Sequence, residues 1–284
     1  MTQSPQHGLR HAVHFTQAER MDTEELRANF LVDRVFRAGE VTATYTHYDR
    51  MLVLGVQPGA ETLGIPVAVT DLVGSGTLLE RRELGLINLG GPARVTVDGR
   101  TWDVGTFDAL YVGKGAAELG FASVDPADPA KLYGNSVPAH APHPTRLVRQ
   151  SDAIEKRLGS QATSNERSLF QYLHPDVLPT CQLLMGMTRL ATGSVWNTMP
   201  AHTHDRRMEA YLYFDIAPEA FVVHLMGRPE ATRNLIVRNE QAVLSPPWSV
   251  HCGAGTGAYA FIWSMAGDNQ SFTDMDMVPM GLIR

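Results

Sequence analysis

The chain has 284 residues, enough for one large domain or two of ordinary size, and two is the better fit at roughly 100–200 residues per domain. Its 24 lysines and arginines against 30 acidic residues give a net charge of −6 with no basic block, which argues against a nucleic-acid partner. Two cysteines, Cys181 and Cys252, are too few for a disulfide scaffold or a four-cysteine zinc site, and both are expected to be reduced and buried. There is no apolar h-region near the N-terminus and no run of about 18 apolar residues, so the expectation is a soluble, cytoplasmic protein with no membrane partner.

In chain order, the first predicted element is a short helix over 23–30, with Thr23 as N-cap and an acidic first turn. Residues 84–91, 93–97 and 100–104 then read as strands, with Asp98-Gly99 suited to a type I′ hairpin turn, and 105–112 adds another turn and strand. Residues 126–144, rich in proline, alanine and histidine, read as a linker, and the polar stretch 151–167 holds one short helix. The strand rhythm returns at 183–190, 209–215, 220–225, 234–237, 241–245 and 259–264. The chain is therefore expected to be all-β, with a few short helices and two sandwich or barrel units, 1–155 and 156–284.

Chemistry concentrates in Asn197-Thr-Met-Pro-Ala-His202-Thr-His204-Asp-Arg-Arg-Met-Glu209. Alternate residues of a strand share a face, so His202 and His204 can grip one ion. Glu209 returns to them if the polar residues 205–208 turn the chain into a hairpin. Eleven histidines in this length give about 0.4 His-x-His pairs by chance, but adding the glutamate five positions on lowers the expectation to about 0.02. His251, behind Pro246-Pro247-Trp248-Ser249-Val250, is the fourth candidate. Three imidazoles and a carboxylate suit Zn2+, with Fe2+ or Mn2+ as alternatives.

The His-x-His, later Glu and later His pattern resembles the first and second motifs of the cupin superfamily, although Trp248, Gly255 and Ile216 stand where those motifs usually carry glycine, asparagine and glycine. Longer blocks are more specific. Leu79-Glu-Arg-Arg-Glu-Leu-Gly-Leu-Ile-Asn-Leu-Gly-Gly, Asp108-Ala-Leu-Tyr-Val-Gly-Lys-Gly, the segment from Trp196 to Glu209, and Phe261-Ile-Trp with Asp274-Met-Asp276 resemble the 5-keto-4-deoxyuronate isomerase (4-deoxy-L-threo-5-hexosulose-uronate ketol-isomerase) family over nearly the whole chain. The resemblance implies a bicupin of two jelly-roll units and a zinc-dependent aldose–ketose isomerase of pectin and uronate breakdown. It also implies a keto-uronate as small-molecule substrate and a homo-oligomer, commonly a hexamer. Lys114 stands near where a metal histidine would be expected in the first unit, so one metal per chain is expected, in the second.

Other residues are weighed against blander roles. Arg206 and Arg207 are as well explained as solvated turn residues as by a clamp on a substrate carboxylate. Tyr211 shares the parity of Glu209 and can line the pocket, though core packing suits it better, and Trp248 is a wall candidate. Glu209 is the first candidate for the general base, with Asp205, Glu240 and the tyrosines behind it. Two rival functions carry the same donor set: an iron-dependent cupin dioxygenase, and a non-catalytic sugar-acid-binding cupin.

Overall fold

The computed structural model describes residues 7–284; residues 1–6, part of the expected first unit, lie outside the described residues. The chain forms two compact units that interleave along the sequence. The first comprises 1–10, 34–153 and 172–184, and the second 11–33, 154–171 and 185–284. Residues 11–33 therefore belong with the second unit, and 172–184 with the first.

In the first unit a seven-stranded sheet runs in the order His7–Arg10, Glu40–Thr46, Leu52–Gln57, Leu132–Pro138, Arg82–Asn88, Ala109–Val112, Arg146–Val148 among the described residues. A four-stranded sheet, Leu63–Gly64, Leu119–Ser123, Ala93–Val97, Arg100–Val104, contributes to the same core. Leu54, Leu86 and Leu132 of the large sheet share one buried apolar cluster with Val95, Val104 and Phe121 of the small one. Asp98 (φ 46°) and Gly99 (φ 79°) both take positive φ, as the type I′ turn between Ala93–Val97 and Arg100–Val104 requires.

The second unit repeats this plan. Its large sheet runs Ile154–Leu158, Arg167–Leu173, Leu184–Leu190, Ala260–Gly267, Arg207–Phe214, Gln241–Ser245, Leu31–Val32. The smaller sheet runs Trp196–Asn197, Cys252–Gly255, Val222–Arg228, Ala231–Val237, and a separate pair joins His202–Thr203 to Asp276–Met277. The all-β, two-sandwich expectation holds, with short α-helices at Phe15–Ala18, Thr23–Phe30 and Val67–Val73.

Three local expectations are corrected. The N-cap of Thr23–Phe30 is Asp22: its carboxylate accepts from the Glu25 amide, and the Glu25 carboxylate accepts from the Asp22 amide, a capping box that makes Thr23 the first helical residue. The supposed linker 126–144 contains Leu132–Pro138, a central strand paired on both sides. Its Gly134 is required by crowding, since a Cβ there would stand 2.9 Å from Leu86 Cδ2 and 3.2 Å from Leu54 Cβ. The stretch 151–167 holds two single 3-10 turns around the strand Ile154–Leu158 in place of one helix. Cys252 is buried as expected, whereas Cys181 is half-buried; both are free.

Candidate metal centre

The site forms in the second unit, where a tight turn brings the His-x-His pair onto the large sheet. The Arg207 amide donates to the His204 carbonyl at 2.9 Å, closing a turn with Asp205 exposed at its tip. The chain then enters the strand Arg207–Phe214, whose eight residues are all buried. Glu209 faces the imidazoles, as expected, but through a turn and not a hairpin: His202–Thr203 pairs with Asp276–Met277, while Arg207–Phe214 pairs with Gln241–Ser245 and Ala260–Gly267. His251 arrives from the segment before Cys252–Gly255.

The four side chains converge. His202 Nε2 lies 3.0 Å from both His204 Nε2 and His251 Nε2, and Glu209 Oε2 lies 3.2 Å from His251 Nε2 and 3.5 Å from His204 Nε2. All four donor atoms lie within 4.8 Å of one another, and all four residues are buried. Burial holds the imidazoles neutral: it pushes His202 down to about 4 and His204 to about 2, the latter also lowered by its neighbours His202, Arg207 and Arg206, and takes His251 well below its ordinary value. Burial raises Glu209 to about 8, opposed by the Arg207 charge and the Tyr211 hydroxyl.

This donor set fits a divalent cation. The Nδ1–H of His251 donates to the Ser249 carbonyl at 3.1 Å, so the Nε2 lone pair is presented to the centre. Neutral imidazole nitrogens facing one another at 3.0 Å lack protons enough to bridge every contact, and a cation between them removes the conflict. Donors ~2.1 Å from one ion stand ~3.0 Å apart at right angles and ~3.4 Å apart at tetrahedral angles. The donor contacts of 3.0–3.5 Å span these spacings, so the four side chains can hold one such ion.

The donors open onto a cavity of about 240 Å³, whose lining includes His202, His204, Glu209, Tyr211, Thr198 and Arg167 with an apolar wall rich in methionine and aromatic rings. Tyr211 lies against His251 and Phe261, with ring centroids 5.6 Å and 5.1 Å away. Its hydroxyl donates to Glu209 and accepts from Thr198. Burial beside Glu209 raises Tyr211 well above 10, so it stays a protonated donor and is no base. Thr198 was not singled out from sequence. Its φ of 51° places a β-branched residue in the left-handed region, a strained conformation that aims its hydroxyl at Tyr211.

The two arginines are engaged elsewhere. Arg206 Nε lies 2.9 Å from both Asp274 oxygens, and its Nη2 reaches Asp274 Oδ1 at 2.6 Å and Asp276 Oδ2 at 2.9 Å. The guanidinium holds Asp274 well below the usual carboxylate range. Buried Arg207 donates to the Asp274 carbonyl at 2.7 Å. Both arginines thus fasten the segment that brings Phe272, Met275 and Met277 to the cavity, and neither lines it. Trp248 packs edge-on against Phe15 and Phe30, with centroids 6.5 and 6.2 Å away, and is also absent from the lining. Glu240, like Asp205, is outside the lining, which leaves Glu209 as its acid among the described residues.

A β-sandwich with three imidazoles and a carboxylate converging beside such a cavity defines a cupin-type protein. Comparison with known proteins agrees. Residues 69–280 match the family described as KduI/IolB, and the chain belongs to that family. The 4-deoxy-L-threo-5-hexosulose-uronate ketol-isomerase of Yersinia pestis (strain Pestoides F) is 51% identical over 276 residues, covering 97% of this chain and 99% of that protein, which places this chain among the ketol-isomerases. Two solved structures share the fold at low identity. An IolB-like protein from Salmonella typhimurium LT2 has a TM-score of 0.73 at 18% identity, covering 88% of this chain and 97% of that one. A mutant of Bacillus subtilis oxalate decarboxylase OxdC has a TM-score of 0.59 at 11% identity, covering 86% and 78%. Among the described residues no helix is long and apolar enough to cross a membrane.

Proposed function

We propose that this chain interconverts 5-dehydro-4-deoxy-D-glucuronate and 3-deoxy-D-glycero-2,5-hexodiulosonate, using a divalent cation, zinc in this reading, held by His202, His204, Glu209 and His251. The observation that carries the reading is the convergence of those four donors on one another, three of them lining one cavity, in a chain 51% identical to a named ketol-isomerase of this substrate class. A hexameric assembly, a place in pectin breakdown and a cytoplasmic location belong to the same proposal and rest on the family.

The reaction moves a carbonyl from C1 to C2. The C2–H bond breaks, a C1–H bond forms, and the O2 hydroxyl proton passes to O1. The barrier is the negative charge that develops on O1 and O2 in the enediolate; a bound divalent cation supplies Lewis-acid stabilisation at those oxygens. Glu209 carries the proton from C2 to C1 with the carboxylate oxygen not turned to the histidines, because it is the acid of the lining. Tyr211, protonated and fixed by Thr198, holds that carboxylate in place by donating to it. The apolar wall excludes water that would protonate the enediolate without control.

The test is an isomerase assay with 5-keto-4-deoxyuronate, run beside elemental analysis and oxygen consumption. Turnover with stoichiometric zinc and no oxygen uptake is expected. Stoichiometric iron with oxygen uptake identifies a dioxygenase, and tight binding without turnover a sugar-acid-binding module.

A further inference from the structure

A uronate carries its charge at the end of the molecule opposite the reacting carbons, and a carboxylate entering an apolar cavity needs a cation or hydrogen-bond donors there. The sequence offers Arg206 and Arg207, but Arg206 is gripped by Asp274 and Asp276, and Arg207, which donates from Nη2 to the Asp274 carbonyl and leaves its buried Nε and Nη1 without a partner, is outside the cavity lining. The cavity has a different cation. Arg167 is the arginine of the lining, at the start of the strand Arg167–Leu173, half-buried, and it donates from Nη1 to the Asn165 backbone carbonyl at 2.8 Å. No carboxylate among the described residues pairs with it. A half-buried guanidinium that lines the cavity without a carboxylate partner is one that an anionic ligand can complete.

A second unpartnered donor lies nearby. Trp263, buried and part of the same lining, has no acceptor for its indole Nε1. Its ring reaches across the neighbouring strand: a Cβ on Gly186 would stand 2.1 Å from Trp263 Cζ2 and 2.6 Å from Cε2, the atom bonded to Nε1. Gly186 belongs to Leu184–Leu190, which lies between the Trp263 strand and the Arg167 strand. The absence of a side chain at Gly186 therefore leaves room for the indole over the strand that separates it from Arg167–Leu173.

In the sheet order, three strand steps separate Arg167–Leu173 from Arg207–Phe214, which carries Glu209, so at ~4.8 Å per step the two backbones are ~14 Å apart. Both Arg167 and Glu209 line the cavity, so one bound ligand can meet both.

We infer that Arg167 and the indole N–H of Trp263 form the seat for the substrate's carboxylate, fixing which end of the uronate meets the His–Glu cluster. The inference deepens the isomerase reading, on which the identity of the substrate rests; recognition of a carboxylate at Arg167 is testable without it.

Two measurements on metal-loaded protein separate the two. In the isomerase assay, Arg167→Met is expected to raise KM for the keto-uronate by about 10- to 100-fold with a smaller change in kcat, as loss of a charge-assisted contact made equally in ground and transition states predicts. Arg167→Lys should recover part of the loss, and Trp263→Phe should raise KM by about 2- to 10-fold. Bound metal per chain is expected to be unchanged in each variant, which excludes misfolding. A KM for Arg167→Met within twofold of the parent overturns the inference. The second measurement uses D-gluconate and D-glucitol, acyclic six-carbon ligands that differ in one carboxylate and cannot isomerise, with binding read by calorimetry. The parent is expected to prefer gluconate by at least about tenfold, and Arg167→Met to abolish the preference. Equal binding of the two by the parent, or a preference that survives Arg167→Met, overturns the carboxylate seat. A parent that shows the preference but no turnover overturns the isomerase reading and leaves the seat standing.

Discussion

Acidifying the metal-free protein from pH 7 to 5.5 destabilises the second unit by an amount that follows from its buried imidazoles. His202 (about 4), His204 (about 2), His224 (about 3) and His251 (well below 6.5) are all depressed by burial, so each remains neutral in the folded chain at pH 5.5 while its unfolded counterpart protonates near 6.5. Groups with depressed folded values contribute stability that is full above the unfolded value and lost as pH falls. Between pH 7 and 5.5 each imidazole costs a little over ~1 kcal/mol, or about 5 kcal/mol for the four. Glu209 acts in the opposite sense. Its raised value, about 8 against 4.5 unfolded, means that acid favours the folded form, returning about 2 kcal/mol over the same interval. The net expectation is a loss of about 3 kcal/mol. Trp196, Trp248 and Trp263 all lie in this unit, so urea unfolding of chelator-treated protein, followed by tryptophan fluorescence, reads it. An unchanged or higher midpoint at pH 5.5 would refute the assignment of these histidines as buried and neutral.

Three substitutions probe the site from different sides. His251→Ala removes a donor whose tautomer is fixed by the Ser249 carbonyl, and should lower metal affinity by more than the ~10- to 100-fold that loss of an outer-shell partner costs, as read by a competing chelator. Gly186→Ala places a methyl 2.1 Å from Trp263 and 2.4 Å from the Phe170 carbonyl; a loss of about 1–3 kcal/mol with a changed Trp263 environment is expected, and parental stability would show that the ring does not lie there. Asp274→Ala removes the carboxylate that Arg206 grips through two nitrogens and should loosen the segment bearing Phe272, Met275 and Met277. Faster proteolysis of that segment and a raised KM with retained metal are the expected readouts; unaltered proteolysis would mean that the arginines are not what holds it.

The donor set was legible because its spacing is local. His202 lies on the two-residue strand His202–Thr203 with His204 directly after it, a four-residue turn redirects the chain, and Glu209 follows on the next strand, Arg207–Phe214. Most strands were legible too, since β-branched and apolar runs between turn residues mark them. Leu132–Pro138 was read as linker because it sits in 126–144, a stretch rich in proline, alanine and histidine, and itself carries Gly134, Asn135 and Ser136. Their reasons are tertiary: Gly134 accommodates Leu54 and Leu86 on its flanking strands, and Ser136 receives Arg82 on both its hydroxyl and its carbonyl. The arginines at 206 and 207 were weighed for a substrate role because they flank the ligands, but their partners come from a segment almost 70 residues later. Arg167 and Thr198 carry no sequence signal of their own; sheet order and backbone conformation bring them to the cavity.

Reconstitution of the metal-stripped enzyme with increasing zinc, with bound ion and keto-uronate turnover measured in the same samples, tests the centre most directly. Turnover should rise from near zero in proportion to bound ion and level off at one equivalent per chain, and His202→Ala should neither bind the ion nor turn over. Full turnover by the stripped protein, or by His202→Ala, would contradict a mechanism built on these four side chains.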